Sequence, residues 1–260
     1  MIEQGVSKIG RKIRNMQLRV ILVALLVGIV AEMRSADYEV LRSRSERFFD
    51  QQEWASASAM YDLMIEQQPK VVDTYCHAIV SAGMQSDTLS QIRLMRQSIK
   101  AHIAFDSIFK GVKRLSFQVK EGTLYEQFLN VIKRAEPWLT RSADRYLLDY
   151  YVFRNDAQKM IDYSKRMLSG LPNDEGFLSI LAQGYMLNGQ YAESVDTYRR
   201  ILEISPNNYD ALLRLGLYYD SVANESDAAR KEALKYLQRA YKIKATPFIK
   251  AKIARLSGAS

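Results

Sequence analysis

Residues 188–208, NGQYAESVDTYRRILEISPNN, hold an apolar pattern of helical period between a glycine turn and a proline stop. Tyr191, Val195, Tyr198 and Leu202 recur every three or four residues, which predicts one face of an α-helix. Gly189 suits the left-handed backbone that follows a helix C-terminus. Pro206 ends the second element, and Asn208 is placed to cap the next one through its side-chain oxygen. A helix this short cannot keep its own stripe out of water, so the pattern demands neighbours.

The neighbours recur at a fixed period. Pro69, Pro137, Pro172 and Pro206 lie 68, 35 and 34 residues apart, which is one or two units of 34 each time. In the unit from 175 to 208, Leu178, Leu181, Ala182 and Tyr185 form a first helical stripe ahead of the one just described. A shift of 34 finds Leu212, Leu215, Gly216 and Tyr219, then Ala233, Leu237 and Ala240 after five extra residues around VANESDAAR. Ala182 and Gly216 predict a close approach of the paired helix. Toward the N-terminus, Leu41, Phe48, Trp54, Ala57, Tyr61 and Pro69 stand at matching offsets.

Residues 72–139 fill two unit lengths with a weaker pattern. Leu89, Ile92, Met95 and Ile99 predict one helix, Ile108, Val112, Leu115 and Val119 another, and Leu124, Phe128, Val131 and Ala135 a third. Asp87, Asp106 and Thr123 supply helix starts. With residues 71–82 these make two helical pairs. A final helix is expected over Pro247–Leu256, capped by Thr246.

These residues resemble the tetratricopeptide repeat family, whose unit places Trp or Leu, Leu, Gly, Tyr, then Ala, an aromatic, Ala and Pro over 34 positions. The unit from 141 to 174 fits at Leu147, Tyr151 and Pro172, with Asn155 where a turn glycine is usual. The resemblance implies an all-α, right-handed helical-hairpin solenoid over residues 38–260, clearest in 175–245 and degenerate in 72–139. It would contain about 12 helices plus a C-terminal capping helix that covers the last apolar face.

Residues 20–31, VILVALLVGIVA, follow a basic segment and form an uncharged run too short to span about 30 Å of hydrocarbon as a helix. Residues 1–37 are therefore expected to be a signal peptide or a membrane anchor with a short linker, with a buried helix of a cytoplasmic protein as the alternative. Met16 is a second possible start. Either leading form puts the rest of the chain across a membrane, in the periplasm or an equivalent space.

The formal charge of +8 sits at the two ends. Residues 1–31 are net +4 and residues 228–256 net +8, so the remainder is −4. Lys235, Arg239 and Lys242 fall at intervals of four and three, a stripe that would attract an anionic lipid or polymer.

Chemistry-bearing patterns are sparse. His77 and His102 are the only histidines and lack metal-ligand spacing, and the single Cys76 rules out an internal disulfide and a cysteine zinc cage. There is no phosphate-cradling glycine motif and no local nucleophile–base pair. The expectation is a non-catalytic protein without cofactor, metal or nucleic acid, which binds a protein or peptide.

In the repeat family the first helix of each pair lines the concave surface. Carried onto this chain, that face holds Arg145, Asp149 and Val152, then Ser179, Gln183 and Met186, then Leu213, Leu217 and Asp220, with Arg42, Glu46 and Phe49 in the first unit. The family's paired Lys and Asn that clamp a peptide carboxylate are missing. The reading that results is an interaction scaffold or assembly factor of the cell envelope.

Overall fold

The computed structural model describes residues 37–224 and 226–258. Among these there are thirteen α-helices and no strand. The chain separates into two compact units that divide after Ala135. The first contains α1 (residues 37–50), α2 (Trp54–Gln67), α3 (Val72–Met84), α4 (Thr88–Lys100), α5 (Phe105–Gln118) and α6 (Thr123–Ala135). The second opens with a short 3-10 turn (Pro137–Leu139), then α7 (Thr140–Arg154), α8 (Ala157–Gly170), α9 (Glu175–Leu187), α10 (Tyr191–Ile204), α11 (Tyr209–Ser221), α12 (Asp227–Ile243) and α13 (Pro247–Leu256). These are six tetratricopeptide-like hairpins followed by one capping helix. The apolar run at 20–31, and with it the expected signal or anchor, lies outside the described residues; among the described ones no helix is long and apolar enough to cross a membrane.

The hairpin turns share one geometry. Gln52, Ser86, Lys120, Asn155 and Gly189 all have positive φ, between 53° and 75°, and follow one another at intervals of 34, 34, 35 and 34 residues. The next residue in each case donates its N–H to the carbonyl five positions back: Glu53 to Phe48, Asp87 to Ala82, Glu121 to Ser116, Asp156 to Tyr151 and Gln190 to Tyr185, at 2.8–3.0 Å. This is the Schellman closure, which satisfies carbonyls that a helix end leaves open. The repeat thus runs unbroken through residues 72–139.

Side-chain caps hold the helix starts at Asp87, Asn208 and Thr246, each accepting the backbone N–H three residues on. Asp106 and Thr123 do not cap: α5 begins at Phe105 without a side-chain cap, and Thr123 is the first residue of α6.

Packing follows the expected stripes with corrections. Leu178, Leu212, Leu215, Ala233, Leu237 and Ala240 are fully buried in one cluster of the second unit. Gly216 allows α12 against α11, since a Cβ there would lie 2.8 Å from Leu237 Cγ. Tyr191 is not part of that core; it is half-exposed and stacks on Tyr218 at 6.1 Å. On α4 the buried face is Gln91, Leu94, Met95 and Ser98, whereas Leu89 is 78% exposed. Two inward polar residues displace the apolar stripe read from the sequence. In the first unit Phe49 rather than Phe48 is buried, its ring edge-on to Trp54 and His77.

Candidate interaction surface

The first helices α7, α9 and α11 repeat one face at offsets of 34, so Arg145, Ser179 and Leu213 are equivalent, as are Asp149, Gln183 and Leu217, and Met186 and Asp220. Arg145 and Asp149 are exposed, and Ser179, Gln183, Met186, Leu213 and Leu217 are half-buried. Arg145, Asp149 and Gln183 make no hydrogen bond or ion pair among the described residues. Leu213 also packs partly on the core cluster. The face therefore passes from open charge on α7 through amide and thioether on α9 to leucine on α11, the mix of rim polarity and apolar anchor that peptide recognition uses.

Asp220 leaves this set. It is 7% exposed, accepts Lys252 Nζ at 2.7 Å on one oxygen and pairs with Arg255 on the other. Both cations come from α13, so Asp220 fastens the capping helix to α11. In the first unit Phe49 leaves it likewise, because its ring is spent on the core, while Arg42 is tied to Glu46 at 3.0 Å.

The basic stripe is also partly consumed. Arg239 donates to Pro206 O at 2.6 Å, and its counterpart Arg200 donates to Pro172 O at the same distance, so each ties a second helix to the proline that opens its hairpin. Lys235 bonds Glu232 at 3.1 Å and lies over the Tyr236 ring. Lys242 remains exposed. Lys252 and Arg255 serve Asp220. The C-terminal helices thus present fewer free cations than their formal charge suggests.

Between these hairpins runs a ladder of tyrosines: Tyr218 meets Tyr219 edge-on, and Tyr219 stacks on Tyr236 at 6.0 Å. Arg199 donates to the Tyr219 hydroxyl at 2.8 Å. The ladder is packing, with half-exposed Tyr191 as its open end.

The first unit has a cleft of about 410 Å³ among α1, α2 and α3. His77 lies on its wall, with Nδ1 2.9 Å from Asp73 O and 3.3 Å from Asp73 Oδ2. That hydrogen bond, helped by Arg114, pulls the Asp73 carboxyl down to about 2. Tyr61, 2% exposed, lines the same cleft with its acidity strongly suppressed by burial. No nucleophile stands beside His77, and no group of three or more metal-ligating residues occurs among the described ones.

No family profile matches the chain, and no curated protein does. Among solved structures it is similar to YrrB, described as a TPR protein with an unusual peptide-binding site, at 13% identity over 75% of this chain and 97% of that one (TM-score 0.47). It is similar also to the C-terminal part of a TPR repeat-containing protein from Cytophaga hutchinsonii, at 14% over 85% and 96% (TM-score 0.41). A third is the TPR2AB domain of yeast Sti1 in complex with pHSP90, at 14% over 86% and 99% (TM-score 0.38). Likeness at this level concerns fold and leaves open which molecule is bound.

Proposed function

We infer that this chain is a non-catalytic interaction scaffold of the cell envelope, which binds a helix or extended peptide of a partner along the first-helix face of α7, α9 and α11. The observation that carries the reading is the row of equivalent positions, three hairpins long, at which Arg145, Asp149 and Gln183 keep their hydrogen-bonding capacity unspent beside half-exposed Met186 and Leu217. Apolar anchors would supply affinity and the charges at Arg145 and Asp149 would set register. Export rests on the basic segment and apolar run of residues 1–31.

A photo-crosslinker placed at Gln183 in the native cell should trap a partner, and one placed at Leu89, exposed but off this face, should not. Equal adducts from both positions would remove the face from consideration. For location, a reporter active only outside the cytoplasm, fused after Ser260, should work, and Leu25→Arg with Leu26→Arg should silence it, each charge costing about 2.5–3.5 kcal/mol on insertion. A fusion active only in the cytoplasm would end the envelope assignment.

A further inference from the structure

A buried glutamine is costly unless both ends of its amide are bonded. Gln91 on α4 is 4% exposed, and its only hydrogen bond among the described residues is a long one, 3.4 Å from Nε2 to Ile79 O. Its carbonyl oxygen accepts nothing there. The side chain fits because α3 carries Gly83 opposite it: a Cβ at Gly83 would lie 2.6 Å from Gln91 Nε2. A glycine within a helix and a half-satisfied amide are each unfavourable for folding alone. Together they shape the floor of a cleft.

That cleft, about 490 Å³ between α3, α4 and α6, is lined also by Thr88, Gln127, Asn130 and Arg134. Gln127, Asn130 and Arg134 make no hydrogen bond or ion pair among the described residues. They follow at intervals of three and four on one face of α6. Seven residues of helix rise about 10 Å, the length of roughly three residues of extended chain. Each amide offers a donor and an acceptor, matching the N–H and C=O pair of a main chain, and Arg134 adds a fork suited to a carboxylate. Glu126 lines the cleft too, but already has an interaction of its own. No aromatic ring lines it, so a sugar would find no flat apolar face to lie on.

We propose that the cleft between α3, α4 and α6 is a second binding site, which takes an extended, acidic segment of a partner polypeptide and holds it chiefly by main-chain hydrogen bonds. It belongs to the second helices α4 and α6 and is independent of the first-helix face, so either can fail without the other.

Random linear peptides displayed on phage, selected on the full chain, supply the probe. Selected peptides should share an acidic position and bind about tenfold or more weakly to Asn130→Ala and to Arg134→Ala, the size of one or two lost charge-assisted hydrogen bonds. N-methylation of the peptide main chain should abolish binding. Gln91→Leu should lose binding while holding or raising Tm, since an apolar group of similar size removes the unmet amide. If that variant fails to fold, Asn130→Ala and Arg134→Ala, which favour helix, decide alone. Selection of no peptide overturns the proposal, as does binding indifferent to these changes or to N-methylation. Peptides that respond instead to Gln183→Ala and Leu217→Ala support the first-helix face and overturn this site. Oligosaccharide binding that Asn130→Ala removes reassigns the cleft to sugar and likewise overturns it.

Discussion

Lys252 Nζ lies 2.7 Å from Asp220 Oδ2, and the carboxylate it meets is nearly closed to water while the lysine side chain keeps 32% of its exposure. With Arg255 on the other oxygen, this pair decides how α13 is held. The burial is lopsided, so the two ways of breaking the pair differ. Asp220→Ala frees two cations that can reach water and should cost about 1–2 kcal/mol. Lys252→Ala with Arg255→Ala strands a buried anion and should cost about 3 kcal/mol or more. Urea unfolding measures both, and hydrogen exchange of α13 localises the effect. The reverse order would mean that α13 is held by its apolar residues alone.

Gly216 and Gly189 separate two reasons for glycine. Gly216→Leu forces a side chain against Leu237 and should destabilise by about 1–3 kcal/mol. Gly189→Ala meets nothing within 4 Å, yet its φ of +75° should still cost about 1 kcal/mol. Thermal melts of the two variants check this; a silent Gly216→Leu would contradict the packing of α11 on α12.

Gln52, Ser86 and Lys120 hold the left-handed turn without being glycine. Each changed to Gly should gain roughly 0.5 kcal/mol, the difference between relieved αL strain and the added freedom of the unfolded chain. The triple variant should show a raised denaturation midpoint with an unchanged slope. A loss at all three positions would indicate that their side chains contribute more than the backbone strain costs.

Cys76 is 1% exposed, and burial pushes its thiol from 9.0 up to about 12. It should resist alkylation in the native state and react at once when unfolded. A raised folded value keeps the proton bound after the unfolded chain has lost it, so its contribution is complete below pH 9 and disappears as pH climbs from 9 toward 12. A Cβ on Gly111 would run into Cys76 Sγ. Gly111→Ala should therefore destabilise, and Cys76→Ala added to it should recover part of the loss. Additive effects of the two changes would show that they do not share the space.

The outer repeats were readable because Pro206, Gly189 and the small residues Ala182 and Gly216 mark turns and contacts by residue type. The middle was obscure because its turns have the same backbone built from Ser86 and Lys120, which carry no turn signature, and because α4 buries Gln91 and Ser98 while exposing Leu89. Asp220 was misplaced since its partners arrive from 32 and 35 residues downstream, a distance at which charge pattern along one helix says nothing. Arg239 was misplaced for a similar reason: its acceptor is a backbone carbonyl, which no side-chain pattern reveals. The cleft around Gln91 went unseen because a glutamine in a polar helix reads as surface.

The evenly spaced kinks at Gln52, Ser86, Lys120, Asn155 and Gly189 also bear on how such a chain could lengthen or shorten. Excising the stretch from one kink to the next removes one hairpin and rejoins two ends of the same backbone shape, so the remaining helices keep their inward and outward sides. A cut one residue longer or shorter would turn everything downstream by about 100° about the helix axis and bring polar residues against the interior. Growth of this molecule by duplication is therefore quantised, with the Schellman turn as the joint.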